Sequence, residues 1–302
     1  MPIIVHRDLP AYQTLLREKV FVMREARAIK QDIRPLRIGL LNLMPTKIAT
    51  ETQIARILSN TPLQVELILI QMESYKPKNT DGTHLSNFYC SFSDAMKIGL
   101  DGMIITGAPV ENLPFEKVAY WKELEQIMHY AEEQVTSTLH ICWGAQAGLY
   151  YHHGINKQAL AKKRFGVFSH RVADPTCLLF RGFDDRYACP HSRHTEVPLE
   201  AIEANEHLQV LSVSDEAGVN IVSTTNLNQI YVFGHMEYDA DTLRSEYQRD
   251  IDKGMKIDVP AHYFVNDDPF QEVIVNWRST AHLFYANWLN LVYQKTPYVL
   301  AP

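Results

Sequence analysis

Short apolar runs alternate with amphipathic segments along the first half of the chain. The apolar runs have the length and the Val, Ile and Leu content of strands that are buried on both faces, and they lie at residues 36–43, 63–70, 101–107 and 136–142. The segments between them place apolar residues on one helix face, and they lie at residues 45–60, 92–100 and 114–134. A polar, glycine-containing stretch at 75–87 is predicted to be a loop.

This alternation predicts an α/β fold, with a doubly wound, mainly parallel sheet and helices on both faces. Ligands of such sheets bind at the carboxyl ends of the strands. The turns at Gly107 and Cys142 are therefore candidate sites, together with the ends of the later strands.

The two ends of the chain follow other patterns. Residues 1–34 are predicted to form an N-terminal helical arm that ends before Pro35, and residues 35–302 a single α/β domain. Beyond Gly154 the pattern is less regular. Short strands are predicted near 208–214, 218–224 and 229–235, followed by a C-terminal amphipathic helix at 279–294.

Composition narrows the class of protein. The chain is 46% hydrophobic and 21% charged, as in ordinary globular proteins, and its net charge of −6 argues against a nucleic-acid-binding protein. No window approaches about eighteen consecutive apolar residues, and the N-terminus lacks the pattern of a signal peptide, so we expect a cytoplasmic protein without a membrane span. The four cysteines have no framework spacing and are expected to be free thiols.

Cys142 lies where an apolar strand changes to small, helix-compatible residues, in the stretch HICWGAQAGLY. A nucleophile at such an elbow needs small neighbours, because adjacent backbones approach closely, and the helix N-terminus favours a thiolate. Backbone N–H groups of Trp143, Gly107 and Ala108 are candidates for an oxyanion hole. The alternative is a cysteine that packs as a small hydrophobe.

A thiolate nucleophile requires a proton acceptor and a group that orients it. His235 and Glu237 follow the apolar run 231–233, and residues two apart in an extended chain point the same way, so the carboxylate can fix the imidazole. His-x-Glu alone is a weak signal. Its pairing with an elbow cysteine gives the candidate triad Cys142, His235 and Glu237.

Several stretches together match a known family. They are LNLMPTKIATETQIARILSNTPLQVELILI, DGMIITGAPVE, STLHICWGAQAGLYY, FGVF, PHSRHTE and YVFGHMEYD. Over nearly its whole length the chain closely resembles the homoserine O-acyltransferases of bacterial methionine biosynthesis, a family similar in fold to class I glutamine amidotransferases. His140 stands where those amidotransferases usually have glycine, which weakens a glutaminase interpretation.

The resemblance implies a ping-pong reaction. Cys142 would take an acyl group from acyl-CoA as a thioester, and the hydroxyl of L-homoserine, deprotonated by His235, would then attack it. The family's substrate-contacting positions match Lys163, Ser192 and Arg249, and a guanidinium suits the homoserine carboxylate. On sequence alone, Lys163 could instead belong to a solvated basic run and Arg249 to a surface ion pair. The resemblance also suggests a homodimer.

Glu111 bears on the choice of acyl donor. In this family glutamate at the matching position goes with acetyl and glycine with succinyl, and a negative charge near the elbow disfavours the succinyl carboxylate. We therefore expect acetyl-CoA as co-substrate and no permanently bound cofactor. Without the resemblance, a solvent-facing Glu111 would be the simpler interpretation.

Three alternatives stay open. The protein could be the succinyl-CoA-dependent version of the same enzyme, a glutamine amidase or other thiol hydrolase, or a non-catalytic metabolite sensor. A metal site is not expected, because the spacing of Cys189, His191, His194 and Glu196 fits no strong zinc pattern.

Overall fold

A computed structural model describes residues 3–28, 33–75 and 80–297 of the chain. Its central feature is one sheet of twelve strands, which follow one another in the order β2-β1-β4-β3-β6-β7-β12-β11-β10-β8-β9, with β5 paired to β4. The strands are β1 (Ile3–Ile4), β2 (Val22–Met23), β3 (Leu36–Leu41), β4 (Val65–Gln71), β5 (Tyr89–Ser91), β6 (Gly102–Ile105), β7 (Ser137–Ile141), β8 (Gln158–Val172), β9 (Arg186–Glu196), β10 (Leu208–Ser214), β11 (Gly218–Thr224) and β12 (Gln229–Val232).

Helices cover the sheet, as the sequence pattern predicted. They are α1 (Pro10–Arg17), α2 (Glu25–Ala28), α3 (Lys47–Leu58), α4 (Gly82–Phe88), α5 (Phe92–Ile98), α6 (Trp121–Gln134), α7 (Trp143–His153), α8 (Leu199–Glu203), α9 (Thr242–Asp252) and α10 (Arg278–Lys295). Short 3₁₀ turns lie at Phe115–Lys117, Leu178–Phe180 and Val265–Asp267. None of the helices in the described part of the chain is long and apolar enough to cross a membrane.

Two hydrophobic layers sandwich the parallel half of the sheet. Apolar residues of α1, α3 and α10, such as Leu15, Ile54 and Trp288, pack in one layer. Residues of α5, α6 and α7, such as Ala95 and Leu124, pack in the other. Every residue of β6 and β7 is buried, which explains why these strands appear in the sequence as continuous apolar or small-residue runs rather than alternating ones.

The N-terminal segment contains more than the predicted helices. Besides α1 and α2, it contributes two short strands, and β1 pairs in parallel with both β4 and β2. A two-residue strand has too little length for a period-2 pattern, so hydrophobic periodicity could not reveal it. The division into an arm at 1–34 and a domain at 35–302 stays a prediction.

Three other stretches differ from the sequence prediction. The predicted loop at 75–87 contains α4, which begins where the Asp81 carboxylate accepts a hydrogen bond from the Thr83 N–H. The predicted helix at 114–134 is divided into a 3₁₀ turn and α6. The irregular region after Gly154 is a long antiparallel hairpin of β8 and β9.

The order of the strands determines where the site forms. β7 pairs in parallel with β6 on one side and with β12 on the other. The residues that follow these three strands therefore emerge side by side at the same edge of the sheet.

Candidate active site

Cys142 occupies the turn between β7 and α7. Its φ and ψ are 54° and −113°, a left-handed conformation that non-glycine residues seldom adopt, and it is the N-cap of α7. Its backbone N–H donates to the carbonyl of Val232, 2.7 Å away, which ties the turn to β12. The residue is 9% exposed. Strain of this kind is characteristic of functional turns.

Glycines make this turn possible. A Cβ atom at Gly144 would lie 2.7 Å from the carbonyl oxygen of Ile105 and 2.8 Å from that of Thr106, so only glycine fits against the end of β6. At Gly107 a Cβ would lie 3.2 Å from the Cys142 Cβ. The backbone after β6 therefore lies directly against the cysteine turn.

The candidate oxyanion hole lies at this contact. Trp143 is the first residue of α7, where a helix N–H has no acceptor within the helix. Gly107 and Ala108 line the same cavity as Cys142. The role of these three N–H groups remains a prediction.

His235 and Glu237 follow β12 and form a hydrogen-bonded pair. The distance between His235 Nδ1 and Glu237 Oε1 is 2.6 Å, and both side chains are buried. Cys142 lines the same cavity as His235 and is close enough for its charge to act on the imidazole. Cys142, His235 and Glu237 thus lie together.

The charge of Glu237 changes the proton affinity of His235. Burial alone would lower the pKa of His235, but the Glu237 carboxylate, the Cys142 thiolate and the hydrogen bonds to both outweigh burial and raise it well above its ordinary value. The ring of Tyr238 stacks on the imidazole at a centroid distance of 4.2 Å. This arrangement favours the protonated imidazole in the resting protein.

A cavity of about 600 Å³ opens beside the triad. It is lined by nine of the ten residues that the sequence analysis selected, namely Gly107, Ala108, Glu111, Cys142, Trp143, Lys163, Ser192, His235 and Arg249. The tenth, Glu237, lies behind His235. The fold therefore brings together candidates that are up to 142 positions apart in sequence, from Gly107 to Arg249.

Lys163 and Arg249 meet at one carboxylate. Lys163 Nζ donates to Asp250 Oδ2 at 3.1 Å, while Nε and Nη2 of Arg249 donate to Asp250 Oδ1 at 2.9 and 2.8 Å. Burial would raise the pKa of Asp250, but these contacts outweigh it and lower the pKa. Two cations, Lys163 and Arg249, therefore share the single carboxylate of Asp250 at one side of the cavity.

Sequence reasoning missed Glu246, which lies next to this cluster. Its Oε2 accepts a hydrogen bond from Ser192 Oγ at 2.5 Å and lies 3.8 Å from Lys163 Nζ, and its Oε1 accepts one from the Tyr238 hydroxyl at 2.9 Å. A signal existed in the sequence: positions 246, 249 and 250 are spaced for one face of a helix. Several other charged residues on α9 obscured it.

Glu111 lies in the loop after β6, half-buried at the cavity wall. Nearby, Lys157 Nζ donates to the carbonyl of Leu113 at 2.6 Å and lies 3.9 Å from the centre of the Phe115 ring. Burial lowers the pKa of Lys157, and attraction to Glu111 and Glu116 partly offsets that effect. This lysine lies near Glu111 and holds the loop that carries it.

The unusual histidine of β7 lies in a separate cluster. The buried ring of His140 stacks on Tyr231 at 5.1 Å, and its Nε2 is 2.8 Å from the Gln229 Oε1. His152 contacts the other side of the cluster, with its Nδ1 3.0 Å from the Tyr231 hydroxyl. His140 therefore packs beneath the cysteine turn rather than in the cavity.

The candidate zinc residues do not converge on one point. Across the ranges that the structure describes, no group of three or more His, Cys, Asp or Glu side chains is arranged to hold a metal ion. Cys189 and His191 are buried residues of β9 within the hairpin.

The fold and the site define a protein of the class I glutamine amidotransferase-like type with a cysteine at a strand-to-helix elbow. Solved structures support the fold: a glutamine amidotransferase from Thermotoga maritima aligns with a TM-score of 0.56 at 13% identity, covering 86% of this chain and 99% of its own. A glutamine amidotransferase from Methylobacillus flagellatus aligns with a TM-score of 0.56 at 12% identity, covering 90% of this chain and 100% of its own.

Sequence comparisons identify the family within this fold. The family model described as homoserine O-succinyltransferase matches residues 2–298. A homoserine O-acetyltransferase of Clostridium novyi (strain NT) is 57% identical over 299 residues, covering 99% of each chain. One of Brevibacillus brevis is 56% identical over 301 residues, covering 99% of this chain and 98% of the relative. The chain belongs to the homoserine O-succinyltransferase family.

Proposed function

We propose that this protein transfers the acetyl group of acetyl-CoA to the hydroxyl of L-homoserine through a thioester on Cys142. One observation carries the proposal: Cys142 and the hydrogen-bonded pair of His235 and Glu237 lie together at a cavity that Lys163 and Arg249 also line. The names of the similar proteins, homoserine O-acetyltransferases, agree with it. In the proposal acetyl-CoA is a co-substrate and not a resident cofactor.

In the first half-reaction the Cys142 thiolate attacks the thioester carbonyl of acetyl-CoA. The C–S bond to Cys142 forms, the C–S bond to CoA breaks, and the departing CoA thiolate takes the proton from the His235 imidazolium. Exchange of one thioester for another has little thermodynamic cost, so the acyl-enzyme stays reactive toward oxygen. The N–H groups of Trp143, Gly107 and Ala108 are the proposed donors to the oxyanion.

Acylation then changes His235 from acid to base. The thiolate charge and its hydrogen bond, which raise the pKa of His235 in the resting protein, are lost when the sulfur is acylated. The neutral imidazole accepts the proton of the homoserine hydroxyl as its oxygen attacks the thioester. The Cys142 thiolate leaves, and the imidazolium and thiolate pair is restored.

The acceptor site must hold a zwitterion. Arg249 and Lys163 offer cations to the homoserine carboxylate. The ammonium needs an anion that is not already neutralised. Of the acidic residues on the wall away from Glu111, Asp239 pairs with Arg56, Asp241 with Arg244, and Asp250 with both substrate-facing cations.

Glu246 remains as the ammonium partner. Its own ion pair, with Lys163 at 3.8 Å, is the longest of these pairs, and its closest contacts are the neutral hydroxyls of Ser192 and Tyr238. Ser192 would act through this contact by holding the carboxylate in place. Glu246 thereby completes a site in which both charges of homoserine have opposite charges to face.

Glu111 supports acetyl over succinyl as the donor group. Its carboxylate shares the cavity wall with Cys142, so the free carboxylate of a succinyl group would meet a like charge there. An acetyl group carries no charge and avoids this repulsion.

The test is intact mass spectrometry after incubation with acetyl-CoA or succinyl-CoA in the absence of homoserine. We expect an acetyl adduct that Cys142→Ala abolishes, that Cys90→Ala retains as a matched control, and that disappears on addition of homoserine with release of O-acetylhomoserine. A succinyl adduct alone would refute the choice of donor. No adduct from either donor on folded protein would refute the acyl transfer.

Two wider features belong to the same proposal. The cysteines at 90, 142, 177 and 189 are all free, which suits the reducing cytoplasm. A homodimer is proposed on the family resemblance alone, and the mass of the protein in solution by light scattering would test it.

A further inference from the structure

Arg193 is a buried cation with little direct compensation. It lies on β9, its side chain is 2% exposed, and its guanidinium donates to the backbone carbonyls of Thr195, at 2.9 Å, and Ala217. A buried charge is unfavourable unless an opposite charge or strong hydrogen bonds offset its desolvation. The carbonyls satisfy the donors of Arg193 but do not neutralise it.

The acidic residues that pair with Arg193 are few. Among the described residues, Arg193 forms an ion pair with Glu196. The Oε2 atom of Glu196 is 3.9 Å from Nη1 of Arg193, and the Glu196 side chain is 27% exposed. On another side, Nε lies 3.4 Å from His191 Nδ1. Burial, together with the nearby charges, lowers the pKa of His191 well below its ordinary value, so this neighbour is neutral.

One contact of Arg193 is shared with the helix that follows Cys142. The Thr195 carbonyl that accepts from Arg193 also accepts from Gln146 Nε2 at 3.1 Å. Gln146 lies in the first turn of α7, and its backbone N–H donates to the carbonyl of Cys142 at 3.2 Å. The guanidinium and the first turn of the helix that Cys142 caps therefore share one acceptor, and Arg193 and Cys142 line the same cavity.

The electrostatics agree with this geometry. Burial is the largest influence on Arg193 and lowers its pKa to about 10, while the strongest opposing influence is the negative charge of Cys142, which exceeds that of Glu196. The attraction between two opposite charges is mutual, so it acts on a thiolate at Cys142 as well as on the guanidinium.

We propose that Arg193 is an electrostatic positioning residue that stabilises the Cys142 thiolate, and the oxyanion formed on it, through space. The inference rests on the proposed role of Cys142 as nucleophile and adds a second cation to the site. His235 loses its charge when it protonates the leaving group, whereas an arginine stays charged throughout. Arg193 would thus maintain a positive potential at the sulfur in the step where the imidazole is neutral.

Other charged groups face the same sulfur and must be separated from Arg193. The charges of His235 and Cys142 act on one another, Glu237 bonds to His235, and Tyr238 stacks on that imidazole. On the hairpin, Arg164 of β8 is directly opposite Arg193 in the strand register. Arg164 therefore offers a matched control, a cation on the paired strand that does not line the cavity.

The experiment measures the rate at which iodoacetamide alkylates Cys142 as a function of pH, resolved from the other cysteines by peptide mass spectrometry. It needs neither acetyl-CoA nor homoserine, so it gives a result even if the proposed substrates are wrong. The variants are Arg193→Gln, which keeps a donor for the Thr195 carbonyl without the charge, Arg193→Lys, which keeps the charge, and Arg164→Gln.

The expected result is a rise of about one pH unit in the midpoint for Arg193→Gln, equivalent to alkylation about tenfold slower below the midpoint. Arg193→Lys and Arg164→Gln should stay within about 0.3 unit of the wild type. An unchanged midpoint in folded Arg193→Gln would overturn the proposal. If Arg193→Gln does not fold, Arg193→Lys provides the test. A rise of a full pH unit in the alkylation midpoint of Arg193→Lys would mean that Arg193 acts through its structure and not through its charge.

Discussion

The buried histidine beneath the cysteine turn predicts a specific loss of stability in acid. Burial lowers the pKa of His140 from 6.5 to about 4, against a weaker opposing effect of its hydrogen bond to Gln229. Between these two pH values the unfolded chain binds a proton that the folded protein resists. Stability is therefore fully present above pH 6.5 and falls as the pH drops toward 4.

The size of the effect follows from the same two values. Between about pH 7.5 and about pH 5, linkage gives a loss of about 2 kcal/mol from His140 alone, a large share of the typical stability of a domain. The side chains and backbone around His140 are too close to let water solvate a charged ring. A Cβ at Gly148 would lie 2.9 Å from His140 Nδ1, so helix α7 presses directly on the imidazole.

Equilibrium urea unfolding of wild type and His140→Phe at both pH values tests this reasoning. Phenylalanine keeps a ring against Tyr231 but cannot titrate, so the variant should lose about 2 kcal/mol less than the wild type over the interval. Gln229→Met is the control. It removes the same hydrogen bond and keeps the histidine, so its free energy of unfolding should be lower at both pH values while its acid loss persists. Equal acid losses in wild type and His140→Phe would refute the argument.

Three further predictions concern the elbow and the two sides of the cavity. Gly144→Ala should lower the free energy of unfolding by about 2 kcal/mol or more in urea titrations, because its Cβ meets backbone carbonyls at 2.7 and 2.8 Å, whereas Gly82→Ala, with nothing within 4 Å, should cost nothing. Glu246→Gln should raise the KM for homoserine about tenfold or more and leave the rate of acyl-enzyme formation unchanged, as stopped-flow acylation would show; slowed acylation would contradict an acceptor role. Glu111→Gly should raise the kcat/KM ratio of succinyl-CoA to acetyl-CoA, and an unchanged ratio would mean that the carboxylate does not face the acyl group.

The sequence predicts the parallel half of the sheet well because its strands are buried on both faces. Such strands appear as uninterrupted apolar runs between helices, and the carboxyl ends of β6, β7 and β12 then coincide at one edge. The positions of Cys142 and His235 near one another follow from that rule. Hydrophobic pattern did not predict the antiparallel hairpin, because the first half of β8 is largely exposed and rich in charged residues.

The acceptor side could not be derived from local pattern. Lys163 on β8 and Asp250 on α9 are 87 positions apart, and their meeting depends on how the hairpin and the helix pack. The family resemblance pointed to Lys163, Ser192 and Arg249, but the residues had no periodicity or spacing that would select them. Glu246 had a signal in its helical spacing with positions 249 and 250, but α9 carries several other charged residues, and the contacts of Glu246 are what distinguish it.

The proposed donor and acceptor sides of the cavity are built from different numbers of chain segments. The loop after β6, with Gly107, Ala108 and Glu111, is one continuous stretch, whereas the opposite wall is assembled from β8, β9 and α9. A recombination or a graft could exchange the donor loop as a single cassette and leave the triad and the acceptor wall in place. The proposed acceptor wall, built from three separate elements, cannot be exchanged as one segment.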